Sequence, residues 1–120
     1  MELKINVTDE VNDAMVRLKN KEIKWVILKP DDKKENCLVD VEGDINSDYE
    51  HFKDAFPDSQ PRWAAYDLHI VKPDNSTANK IVFYSYVPDT YSGMDRLFYP
   101  GAKEYLTKQF DGISRSIQVN

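Results

Sequence analysis

Two histidines, one cysteine and several adjacent acids are the residues of this chain that could do chemistry. A metal centre needs His, Cys or carboxylates at ligand spacing. His51 stands in an acidic helical stretch and His69 in an apolar strand, far apart, and both read as structural. A nucleophilic cysteine needs a base beside it. Cys37 has no histidine near it in sequence and reads as a small hydrophobe. The pairs Asp9-Glu10 and Asp31-Asp32 fall at a helix start and in a turn, where carboxylates are solvated rather than convergent. Of the four glycines, none lies in a phosphate-binding array. No enzyme, no metal and no cofactor are expected.

The most informative stretch instead suggests a binding surface. After the β-branched and aromatic run from Lys80 to Val87, the residues toward Gly112 take a helical period. Phe98, Ala102, Tyr105, Leu106 and Phe110 share one sector, and Arg96, Lys103, Glu104, Thr107 and Lys108 the opposite one. Leu97 breaks the pattern by falling among the charges, beside the small residues Pro100 and Gly101. A large apolar side chain on the wet face, next to a cation, is suited to a protein-binding ridge. Pro100 removes a backbone donor and predicts a bend in this third helix.

The elements that must position this ridge can be read in order. Thr8, Asp9 and Glu10 look like a hydroxyl cap followed by first-turn acids, with Val11, Met15 and Leu18 as the apolar stripe. Trp25 to Leu28 reads as a short strand ending before Pro30, pairing with Cys37 to Val41 as a hairpin. Tyr49, Phe52 and Phe56 have helical spacing up to Pro57. Trp63 to Val71 is nearly all apolar and predicts a central strand covered on both faces. A polar loop, Lys72 to Asn79, leads to the strand from Lys80 to Val87, and Gly112 is the expected helix stop before an edge strand from Ile113 to Val119. The order α-β-β-α-β-β-α-β predicts one α/β domain of the α+β type over residues 1–120, a mixed five-stranded sheet sandwiched between helices.

Bulk properties agree with that frame. The chain has 120 residues, 41% of them hydrophobic, which suits a single core. No run approaches the roughly 18 apolar residues of a membrane span. One cysteine and no apolar leader predict a cytoplasmic location. The net charge of −5 argues against nucleic acid as a partner.

The residues then resemble a family, the actin-depolymerising factor/cofilin domain. The similar pieces run the length of the chain in order. They are Val7-x-Asp9-Glu10, Lys24-Trp25-Val26-Ile27-Leu28, Tyr49-x-x-Phe52 with Phe56-Pro57, and Arg62-Trp63-Ala64-Ala65-Tyr66-Asp67. They continue with Lys80-Ile81-Val82-Phe83, Pro88-Asp89-Thr90, Arg96-Leu97-Phe98-Tyr99, Lys103-Glu104 and Asp111-Gly112. The resemblance implies a monomeric, non-catalytic protein that binds actin monomers, and filaments more weakly, and promotes filament turnover. In that family the third helix enters a cleft of the actin monomer, assisted by the amino-terminal tail, here Leu3, Lys4 and Ile5. Carried over, Arg96 stands at the second of two basic sites, and Met94 replaces the first. Leu97 stands where a methionine usually packs on actin, and Gly101 and Ala102 where small serines stand. Lys103, Glu104 and Lys108 match charged positions, while Thr107 replaces a cation.

Departures qualify the resemblance. Met1 to Ile5 holds no serine of the kind that is phosphorylated in the family, so that control is not expected. Lys80 keeps one filament-side cation, with Ala78 in place of its basic neighbour. The chain ends at Asn120, where most members continue into a further helix, so a short, monomer-favouring form is expected. Phosphoinositides stand as a candidate competitor. The alternative keeps the fold and changes the partner: Gln60-Pro61-Arg62 resembles the glia maturation factor subgroup, which binds the Arp2/3 complex and debranches filaments. A coactosin-like filament binder is a third reading.

Overall fold

The computed structural model describes residues 3–110 and 113–119. The elements run β1 (Asn6–Val7), α1 (Asp9–Lys19), β2 (Ile23–Pro30), β3 (Asn36–Asp44), α2 (Tyr49–Asp54), β4 (Arg62–Val71), β5 (Thr77–Tyr86), α3 (Phe98–Gln109) and β6 (Ile113–Val119). All strands join one mixed sheet in the order β1-β3-β2-β4-β5-β6. Its inner pairings are antiparallel, and the outer ones, β1 with β3 and β5 with β6, are parallel. The five expected strands are present and β6 lies at an edge. The two-residue β1 is the addition, held where the Asn6 amide donates to the Glu35 carbonyl.

The period of 2 along the strands divides the core between two faces. Val26, Leu28, Trp63, Ala65, Ile81 and Phe83 face α1 and α3, where they meet Val11, Met15, Leu18, Tyr99, Leu106 and Phe110. Trp25, Ile27, Ala64 and Tyr66 face the other way and are covered by Phe52 of α2. The edge-to-face contact of Phe52 with Tyr66, centroids 4.9 Å apart, closes that smaller cluster.

Several local expectations are corrected. Thr8 does occupy the N-cap of α1 with extended backbone, but its hydroxyl makes no cap bond. The hydroxyl donates to the Cys37 carbonyl at 2.7 Å instead, tying the helix to β3. β2 runs on through Pro30, whose missing N–H is tolerated where the strand ends. α2 is capped by Asp48, which accepts from the His51 amide at 2.9 Å, and it ends before Phe56. β4 is buried only as far as Asp67; Leu68, His69 and Val71 are exposed. Its outer half forms with Thr77–Lys80 a hairpin reaching beyond the helical layers, since apolar content alone does not say where the covering helices stop.

The third helix differs most from expectation. It begins at Phe98, so Arg96 and Leu97 belong to the turn before it. Pro100 falls in the first helical turn, where an N–H has no intrahelical partner, so no bend is needed. The expected helix stop at Gly112 lies outside the described residues.

Candidate protein-binding site

The head of α3 gathers the most exposed apolar side chains of the described residues. Met94 is 103% exposed and Leu97 82%. Leu97 occupies the N-cap position without a side-chain cap bond. Leucine is a poor choice there, because it satisfies none of the free amides that Ser, Thr, Asp or Asn would meet. Locally the residue is unfavourable both as a cap and as exposed surface.

The sheet holds the helix beneath this pair rigidly. The Trp63 indole Nε1 donates to the Tyr99 carbonyl at 2.9 Å, and Tyr99, Ala102 and Leu106 are buried against the core. The amino-terminal segment runs alongside, with the Leu3 amide donating to the Gly101 carbonyl at 3.1 Å. Leu3 is half-buried and Lys4 exposed, so the segment and the helix head form one continuous surface.

Not every expected contact residue lies on that surface. Ile5 is 3% exposed and belongs to the main core, so its role is to pin the segment down. Gly101 is buried beneath the Leu3 backbone and offers a partner no side. Arg96 is half-buried, and its Nη1 donates to the carbonyls of Pro88 at 3.0 Å and Tyr91 at 2.8 Å. It therefore organises the loop before α3 instead of standing out as a cation. Down the helix, Lys103 is half-buried, with burial lowering its pKa, while Glu104 and Lys108 are exposed. Lys80 is exposed on the projecting β4–β5 hairpin, away from the helix head in the fold.

Catalytic groupings are not found among the described residues. No cluster of three or more His, Cys, Asp or Glu residues is placed to hold a metal ion there. Cys37 is fully buried, and burial pushes its thiol up to about 12, which leaves it un-ionised and unreactive. His51 contacts Asp48 at 3.0 Å, and His69 meets the Asn79 amide oxygen at 3.2 Å, both on the surface. No helix among the described residues is long and apolar enough to cross a membrane.

What the sequence reading missed is the fastening of the loop. Tyr91 donates to Asp95, and Asp95 also pairs with Lys34 from the β2–β3 turn at 2.8 Å. Nothing in the local pattern of residues 91–95 signals so distant a partner.

Comparison with known proteins places the chain in a family. A family model described as cofilin/tropomyosin-type actin-binding protein matches residues 4–120. Actin-depolymerizing factor 2 of Zea mays is 32% identical over 114 residues, covering 94% of this chain and 82% of the maize protein. The crystal structure of Plasmodium berghei actin depolymerization factor 2 superposes with a TM-score of 0.83 at 25% identity, over 99% of this chain and 87% of that one. Glia maturation factor from Caenorhabditis elegans, at 18% identity and a TM-score of 0.79 over 100% of this chain and 88% of its own, shares the fold.

Proposed function

The chain belongs to the cofilin/tropomyosin-type family of actin-binding, non-enzymatic proteins, and on that premise we propose that it binds actin monomers through the head of α3 and promotes filament depolymerisation and turnover. The observation that carries this reading is the exposed pair Met94 and Leu97, in the turn that leads into α3, beside Leu3 and Lys4. An apolar centre of this kind, with Lys103, Glu104 and Lys108 further along the same helix, has the anatomy of an interface whose core supplies most of the affinity. A leucine that neither caps its helix nor reaches the core is explained by a partner that buries it.

Filament binding is the weaker activity in this reading. It needs a second actin contact, and the β4–β5 hairpin offers Lys80 with Ala78 in place of a second cation. A single exposed cation contributes less than about 1 kcal/mol and is screened by salt. Severing is accordingly weak. The protein acts as a monomer in the cytoplasm, with the actin cytoskeleton, and phosphoinositides are candidate competitors for its basic residues. Of Gln60-Pro61-Arg62, the segment behind the glia-maturation-factor alternative, Arg62 is half-buried and its Nε donates to Asp40 at 3.0 Å, which commits that guanidinium within the fold.

Co-sedimentation with actin across protein ratios tests this. Actin should shift to the supernatant, and raised salt should abolish filament pelleting before monomer binding. Saturable one-to-one decoration of filaments, or capture of the Arp2/3 complex without actin monomers, would overturn it.

A further inference from the structure

The loop carrying Met94 and Leu97 is fastened from outside by the β2–β3 turn. That turn is stiff: the Asp31 carboxylate accepts from the Glu35 amide, the Asn36 amide and the Asn36 side chain. At its tip Lys34 has a φ of 58°, a left-handed conformation that glycine would adopt more easily. A side chain kept where glycine is favoured points to a use for that side chain. Its Nζ lies 2.8 Å from Asp95 Oδ2, between groups that are each about one-third exposed.

The receiving loop is wound closely around the same carboxylate. Tyr91 donates its phenol proton to Asp95 Oδ1. Gly93 permits this, because a Cβ there would lie 2.1 Å from the Tyr91 oxygen. Asp95 thus holds its loop's own phenol with one oxygen and the distant lysine with the other. Two residues later in the chain stands Leu97.

We propose that Lys34, Asp95 and Tyr91 form a clamp that fixes the Met94–Leu97 loop in its partner-binding shape, with Lys34 as a positioning residue that does not itself touch the partner. The proposal rests on the actin reading given above. An ordinary surface ion pair contributes little to global stability. The effect of this one is therefore local: without it the loop samples other paths, and the fraction of molecules presenting Leu97 correctly falls. Apparent affinity falls by the same fraction.

Two variants isolate the clamp. Lys34→Gly removes the cation while relieving the left-handed backbone, so the fold is preserved, and Lys34→Arg restores the cation. In Lys34→Gly, hydrogen exchange of the amides from Tyr91 to Leu97 should quicken roughly tenfold with the melting temperature unchanged. Affinity for monomeric actin should fall roughly five- to tenfold, and Lys34→Arg should recover most of it. In a Leu97→Ala background, Lys34→Gly should cause little further loss, because the residue being positioned is gone. Unchanged loop exchange would overturn the clamp. Fully additive losses in the double variant would also overturn it, since they would mean that Lys34 contacts actin directly. Failure of the unsubstituted protein to bind actin would defeat both readings, and it is distinguishable because it appears before any substitution is made.

Discussion

At the head of α3, Leu97 turns 82% of its surface to solvent, while its neighbour Arg96 binds two carbonyls of the preceding loop. The two substitutions should therefore separate. Leu97→Ala should weaken actin binding by about 2 kcal/mol or more, as expected of a central interface residue, and leave thermal stability unchanged. Arg96→Ala should lower stability by about 1–3 kcal/mol, because two carbonyls lose a charged donor. Calorimetric melting alongside a binding titration checks both, and a lowered melting point for Leu97→Ala would refute its assignment. The exposure of Leu97 was readable from sequence because it broke a helical pattern. The task of Arg96 was not, since its partners are backbone carbonyls chosen by the path of a loop. Nor was the burial of Ile5, in a segment too short to show a period. Titration follows from the same contacts. For Asp95, burial raises the pKa, but hydrogen bonds from Lys34 and Tyr91 outweigh it and leave the group below the usual carboxylate range. Its contribution is present above that range and is lost as pH falls through the depressed value. Lys34 is raised chiefly by its hydrogen bond to Asp95, so its contribution holds below the usual lysine range and is lost as pH rises through the raised value. The Met94–Leu97 loop should keep one conformation throughout the neutral range and loosen in acid, as Asp95 is protonated, and again in strong alkali, as Lys34 loses its proton. Following the Tyr91 ring by NMR in the wild type and in Asp95→Asn would show this as an acid transition present in the first and missing in the second.

Elements were legible where periodicity ran long and obscure where boundaries depended on neighbours. α1 and the β2–β3 hairpin followed from apolar spacing, whereas β5 starts at Thr77, inside the segment expected to be loop, and the start of α3 shifted to Phe98 because Pro100 fits a first turn better than an interior. The exposed half of β4 reads as core because Leu68, Ile70 and Val71 are apolar, yet Leu68 and Val71 are open to solvent there. The β2–β3 pair contains a feature with a sharper consequence. Gly43 lies opposite Trp25, and a Cβ on it would stand 2.0 Å from the indole Cε2. The indole is 3% exposed and donates to the Ser47 hydroxyl at 3.0 Å, so it has little freedom to withdraw. Gly43→Ala should destabilise the protein by about 1–3 kcal/mol through this collision. Chemical denaturation measures it, and a neutral result would mean that the strands can separate locally without disturbing the α2 face.

Over the whole molecule, the order of elements along the chain was evident from sequence, but the order of strands across the sheet was not, since that depends on which edges remain open. The observed arrangement has a consequence for how the chain folds. Its inner strands are joined by short turns, as two hairpins, while the parallel pairing of β5 with β6 needs a crossover through α3. Closing a short loop costs less entropy than closing a long one. The hairpins should accordingly be formed in the transition state and the crossover completed after it. In a chevron analysis, Ile27→Val should slow refolding, whereas Leu106→Ala in α3 should chiefly hasten unfolding. The reverse assignment would show that α3 nucleates the domain. The surface proposed to meet actin is built from the beginning of the chain and from α3, so it should be the last part of the molecule to condense, and a nascent chain should have no competent binding face until α3 has docked.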